Sequence, residues 1–126
     1  MNIPTNLMYS KDHEWVKMLN DGTALVGITD HAQSELGDIV FINLPVVGDE
    51  VVMDEPLGDV ESVKAVSDII CPISGTVAEI NEELLTAPQA INEDAYEAWL
   101  IRVENVTDKA DLLTAEEYAE FVESEK

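Results

Sequence analysis

His13, His31, Cys71 and Lys64 are the residues with which this 126-residue chain could do chemistry beyond its abundant carboxylates. The two histidines are far apart in sequence, and the lone cysteine makes no short-spaced ligand cluster with them, so no metal site is expected. His13, beside Glu14, reads as a surface or strand-edge histidine rather than a general base. The six glycines are scattered, and no phosphate-cradling loop is present. With 27 acidic residues, no single carboxylate pair is informative. Cys71 precedes Pro72 in an apolar run and reads as a buried structural thiol. Catalysis by the chain itself is not expected.

Lys64 is different. It is the only lysine or arginine between Lys17 and Arg102, centred in "DVESVKAVSD" at residues 59–68. On spacing alone it reads as a solvated lysine at a strand end or hairpin. A hairpin tip would also present this amine to a modifying enzyme, with compact Val63 and small Ala65 leaving it accessible. A long arm on a rigid turn can visit several active sites in succession.

The elements that must position it are short. With 46% apolar residues the chain should fold, and its length suits one domain, residues 1–126. "WVKML" and "TALVGI" flank "NDG", predicting a hairpin in which Asn20 and Asp21 before Gly22 supply positive φ angles. Asp30 is placed to cap a short helix with Gln33 three residues on, and Gly37 to end it in the left-handed conformation. "IVFINL" (39–44) reads as a buried strand stopped by Pro45. Further strands are expected near 50–53, 57–63, 66–70, 76–80 and 98–104, with a capped helical turn at "NEELLTAP" that Pro88 ends. Thr114 and Glu117 form a capping box, and Tyr118, Phe121 and Val122 share one face of a C-terminal amphipathic helix. "GDEVVMDE" from Gly48 and "GTVAEINE" from Gly75 echo each other on either side of Lys64, suggesting two similar arms of a sandwich.

The net charge of −21 argues against nucleic-acid binding and suits partners with basic surfaces. No apolar run is long enough to cross a bilayer, and residues 1–20 lack a signal-peptide pattern, so no membrane association is expected. A cytoplasmic protein, or an organellar one stripped of its leader, is the simplest expectation.

"ESVKAVSDIICPISGTVAEIN" resembles the lipoylation segment of the glycine cleavage system H-protein family. "YSKDHEWV", "GITDHAQSELGDIVFINLPVVGDEV", "AWLIRV" and the terminal "EEYAEF" resemble the same family, in order and over nearly the whole chain. The resemblance implies a mainly β barrel-sandwich hybrid with a few short helices. It also implies a carrier in which Lys64 is joined by an amide to lipoic acid as N6-lipoyllysine. Its implied partners are the lipoate-attaching enzymes, glycine decarboxylase (P-protein), aminomethyltransferase (T-protein) and dihydrolipoamide dehydrogenase (L-protein). The aminomethyl group of glycine would pass from glycine decarboxylase to aminomethyltransferase, and dihydrolipoamide dehydrogenase would reoxidise the arm. A carrier of this kind gains from a cleft that excludes water and offers carboxylates to a cationic cargo. Glu14 and Asp68 are the expected carboxylates, with Asp12 and Glu35 as helpers.

Two features depart from the family pattern. "DAYEAW" lacks the proline and glycine often found before the late tryptophan, and Cys71 stands where other residues are common. Neither touches Lys64. Biotin acceptors carry methionine next to the lysine, which Val63 and Ala65 do not match, and lipoyl domains of 2-oxoacid dehydrogenases are shorter. A relay that hands lipoate to other proteins, or an acidic adaptor without a cofactor, would differ in the fate of Lys64.

Overall fold

The structure is a computed structural model and describes residues 3–125. Strand β1 (Met8–Tyr9) turns into β2 (Glu14–Met18), and β2 into β3 (Ala24–Ile28), through two loops of one design. The N–H of His13 donates to the Ser10 carbonyl (3.1 Å) and that of Gly22 to Leu19 (3.2 Å). The flanking pairs close with Ser10 N–H to Glu14 O (2.9 Å) and Leu19 N–H to Thr23 O (2.8 Å). Such three-residue hairpins need positive φ only at the last loop residue. Gly22 takes it (φ +87°), and so does His13 (φ +67°). Asn20 and Asp21 therefore do not carry the positive φ angles expected of them.

Helix α1 (Asp30–Leu36) is capped by Thr29, whose hydroxyl accepts the Ala32 N–H (3.1 Å). Asp30, the expected cap, is instead the first helical residue and accepts from the Gln33 side chain (2.8 Å). Gly37 ends the helix at φ +80° and ψ −159°. This is not the left-handed helical conformation expected but an extended one open essentially to glycine.

The chain continues through β4 (Ile39–Asn43), β5 (Glu50–Val51), β6 (Pro56–Ser62), β7 (Val66–Ile70) and β8 (Ile73–Ile80). After them come α2 (Glu83–Thr86), α3 (Ala90–Glu93), β9 (Ile101–Lys109) and α4 (Ala115–Ser124). One sheet has the order β1-β2-β3-β9-β8-β5 and the other β4-β6-β7, giving the barrel-sandwich hybrid with short helices and a C-terminal helix. The core between them includes Val26, Ile28, Ile42, Val60, Ile69, Ile73, Val77 and Ile101. A second apolar cluster of Tyr9, Trp15, Tyr118 and Val122 seats α4, with Thr114 and Glu117 forming the reciprocal capping box. The two echoing segments pair directly and antiparallel, Glu50 opposite Thr76 and Val51 opposite Gly75.

Several boundaries moved for identifiable reasons. β4 is only half buried, with Val40 and Phe41 turned outward, because an apolar run does not reveal which faces are covered. β9 starts at Ile101, since the Trp99 carbonyl is taken by the Asn81 side chain (2.9 Å). It then runs on through polar residues to Lys109, opposite Ile73. The turn at α2 has no side-chain cap, and α3 follows Pro88 unannounced. Where "DAYEAW" lacks proline and glycine, the Asp94 side chain makes the bend by accepting the N–H groups of Tyr96 (3.1 Å) and Glu97 (3.3 Å). Cys71 is buried and its thiol donates to the Ile73 carbonyl (3.0 Å); burial pushes its pKa up to about 11. This agrees with an inert structural thiol.

Gly58 tests how closely β4 and β6 approach. A Cβ there would overlap the backbone carbonyl oxygen of Asn43. Gly58→Ala is expected to cost about 2–3 kcal/mol in urea unfolding. Gly22→Ala, with open space but φ +87°, should cost only about 1 kcal/mol. Equal losses would mean that the strand contact is not limiting.

Candidate functional site

Lys64 stands at the tip of the β6–β7 hairpin, beyond the pair Glu61 and Val66. Ser62 shapes the tip. Its N–H donates to the Ala65 carbonyl (2.8 Å), and its hydroxyl accepts the N–H groups of Ala65 (3.1 Å) and Lys64 (3.3 Å). The Val63 N–H donates to the Asp38 carbonyl (3.0 Å), tying the tip to the end of α1. Asn92 on α3 holds that end in turn. Its amide donates to the Gly37 carbonyl (2.9 Å) and to Gln33 (3.0 Å), while its oxygen accepts the Ile39 N–H (2.8 Å). The Lys64 side chain lies across Gly37, where a Cβ would come within 3.4 Å of its Cε. Among the described residues no carboxylate pairs with its amine.

Beside this hairpin a cleft of about 480 Å³ opens between the β1–β2 turn, α1, β7 and α4. Asp12, His13, His31, Glu35, Ser67 and Glu125 supply its polar lining, and Leu36 and Val122 its apolar walls. The structure thus brings Asp12 and Glu35 to one cleft. Asp68 is exposed on β7 opposite Asp59, and strand alternation turns it to the face opposite cleft-lining Ser67.

Glu14, next to His13, is only 3% exposed and does not line the cleft. The Ser10 hydroxyl donates to its carboxyl group (2.7 Å), and the Ile70 backbone N–H supports it from β7. Burial pushes its pKa up to about 8, with Asp12 adding to the rise, against the opposing hydrogen bonds from Ser10 and Ile70. Glu14 is therefore largely protonated near neutral pH.

His13 is the residue the sequence reading undervalued. Its Nδ1 lies 2.8 Å from the Tyr118 hydroxyl, which lies 2.8 Å from Thr29 Oγ1, while Nε2 faces Glu125 Oε1 at 3.0 Å. Burial pushes this imidazole below its ordinary pKa despite the pull of Glu125. The His13 and His31 ring centroids are 4.6 Å apart. Only the tertiary fold joins these partners, so no spacing signal existed.

This chain matches the family model described as "Glycine cleavage H-protein" over residues 7–125. It is 55% identical over 125 residues to the glycine cleavage system H protein of Lachnoclostridium phytofermentans, covering 99% of this chain and 98% of that one. It is 52% identical to the probable glycine cleavage system H protein of Pyrococcus abyssi, covering 97% and 93%. The crystal structure of a glycine cleavage system H protein from Mycobacterium marinum matches with a TM-score of 0.89 and 44% identity, covering 94% and 97%. Fold and site thus define a protein built around an exposed hairpin lysine beside an acid-lined cleft. The chain belongs to the glycine cleavage H-protein family.

Glu14 makes a pH signature. Its folded pKa of about 8 lies above the ordinary 4.5, so folding favours its protonated form. That contribution is complete below pH 4.5 and is lost as pH rises through 8. Glu14→Gln, neutral throughout, should gain stability over the wild type between pH 5 and pH 9, by at most on the order of 4 kcal/mol. Parallel stability curves for the two proteins would show that Glu14 ionises freely in the folded state.

Proposed function

We propose that residues 1–126 act as one lipoyl-carrier domain of the glycine cleavage system, cytoplasmic and without catalysis of its own. In this reading Lys64 carries lipoate in amide linkage. The carrier receives the aminomethyl group of glycine from glycine decarboxylase and delivers it to aminomethyltransferase, and dihydrolipoamide dehydrogenase restores it. The observation that carries the reading is the exposed amine of Lys64, unpaired among the described residues, on a hairpin tip held at two successive backbone positions, beside a cleft of suitable size.

The residues present fit such a group. Val63 and Ala65 are exposed and leave the amine open to a lipoate-attaching enzyme. Gly37 lets the lysine arm lie against α1 without a side chain in its path. When bound, lipoate supplies a cyclic disulfide that takes up the aminomethyl group and is left as a dithiol to be reoxidised.

The chain's own part is to receive a cationic cargo and keep water from it. Leu36 and Val122 line an apolar wall, while Asp12 and Glu35 place negative charge within the cleft. Glu14 holds its proton near neutral pH while buried behind the cleft. A cation arriving nearby favours its ionised form, so Glu14 can release that proton as the cargo settles. Asp68 contributes from the outer face of the hairpin, where it meets a partner before the cleft does. The net charge of −21 steers encounters with basic partner surfaces.

Intact-mass measurement and peptide mapping of protein from its native source test the assignment. One lipoyl group is expected, on Lys64, and none after Lys64→Arg, because arginine keeps the charge but forms no such amide. The variant should also fail to support glycine decarboxylation by the reconstituted system. Lipoate on Lys11, Lys17 or Lys109, or a native protein without lipoate, would contradict the reading.

A further inference from the structure

His13, His31 and Glu125 arrive from three separate elements: the β1–β2 turn, the first turn of α1 and the end of α4. One ring nitrogen of each histidine and a carboxylate oxygen of Glu125 all lie within 4.8 Å of one another. We propose that these three side chains bind one divalent transition-metal ion, zinc above all, with the remaining coordination positions open to water in the cleft.

The geometry needs little adjustment. Ligand atoms about 2.1 Å from a tetrahedral zinc stand ~3.4 Å apart, so the cluster closes by about an ångström. Glu125, at the end of the last helix with a side chain 43% exposed, is free to make that movement. The donor set of two imidazoles and one carboxylate selects zinc, copper or nickel rather than magnesium or calcium. That choice separates the cluster from the general attraction of an acidic surface for hard cations.

The surroundings are those of a ligand rather than of a stray histidine. The Tyr118 hydroxyl beside His13 Nδ1 is itself held by buried Thr29, whose oxygen also accepts the Ala32 N–H. This chain accepts two proton arrangements. In one, Thr29 donates to Tyr118, Tyr118 to Nδ1, and Nε2–H to Glu125. In the other, Nδ1–H donates to Tyr118, Tyr118 donates to Thr29, and the Nε2 lone pair faces Glu125 Oε1 at 3.0 Å. Two acceptors in opposition repel unless a cation lies between them. Reversing the two hydroxyls, with the imidazole proton lost from Nε2 to water and one regained at Nδ1, therefore converts a hydrogen-bonded histidine into a metal ligand whose other nitrogen is already fixed.

Two further observations point the same way. The His31 side chain is only 16% exposed, yet its closest carboxylate contact, Nε2 to Glu35 Oε1, is 3.8 Å, too long for a hydrogen bond. His13 occupies the left-handed position that Gly22 fills in the neighbouring loop of the same design. A side chain kept where glycine would be less strained marks a position with a role.

The test uses the full, unlipoylated chain and zinc chloride alone, so its outcome is separate from that of the carrier reading. Calorimetric titration should give one zinc per chain, accompanied by a rise in melting temperature that equal magnesium or calcium does not produce. Cobalt in place of zinc should give the visible absorption of a site with few ligands. His31→Gln and Glu125→Gln should each weaken zinc binding at least tenfold and abolish the cobalt spectrum. Glu116→Gln, an exposed acid on the first turn of α4, should leave both unchanged. Near-UV circular dichroism of the metal-free variants checks that they remain folded. No zinc binding above the magnesium level, or unchanged affinity in either His31→Gln or Glu125→Gln, would overturn the proposal.

Discussion

A backbone hydrogen bond from the Val63 N–H to the Asp38 carbonyl, at the end of the β4–β6 ladder, fixes where the hairpin tip that bears Lys64 stands. β4 holds β6 in its sheet as far as Ser62, opposite Ile39, and this bond carries the attachment one residue further, onto the tip itself. Its acceptor is positioned by Gly37, whose backbone conformation is closed to other residues, and by Asn92, which clamps both sides of the same turn. Two further contacts hold α1 itself, the Thr29 cap and the Gln33–Asn92 bond. An amine at residue 64 is thus referred, through three short elements, to the core beneath it. The hairpin can be exposed without being loose.

Electrostatics complement this placement. The chain carries 27 acidic residues and keeps one lysine alone across a long acidic stretch. Most of those acids are solvated and act as a diffuse field. Glu14 is the exception, because burial makes its charge costly despite the hydrogen bonds from Ser10 and Ile70. The molecule therefore holds a negative rim, a buried carboxyl group behind it and an exposed amine beside it. Acid content alone does not reveal this arrangement, since Glu14 looks like any other glutamate until the second sheet covers it.

Much of the local chemistry was readable where the partner lay close in sequence. The Thr114–Glu117 capping box, the hairpin around Gly22, the β7 boundaries and the buried Cys71 all follow from residues a few positions apart. The Asp30 cap failed by one residue because Thr29 offers a competing hydroxyl to the same N–H groups. What could not be read depends on contacts made by folding. Asn92 sits 55 positions from Gly37, and His13 sits 105 from Tyr118. β4 looked wholly buried because "IVFINL" does not disclose that Val40 and Phe41 face out of a three-stranded sheet. Lys64 was legible as isolated, and the family resemblance supplied a reason for its isolation.

The central claim is that the position of the amine on this tip, and not merely its presence, makes Lys64 the attachment point. Exchanging neighbours tests it most directly. The double substitution Val63→Lys with Lys64→Val keeps composition and charge but moves the amine one residue along the turn. Lipoylation by a lipoate-attaching enzyme, followed by mass spectrometry over time, should fall at least a hundredfold relative to the wild type. Modification of the relocated lysine at the wild-type rate would contradict the account, because it would show that any exposed amine on this hairpin suffices.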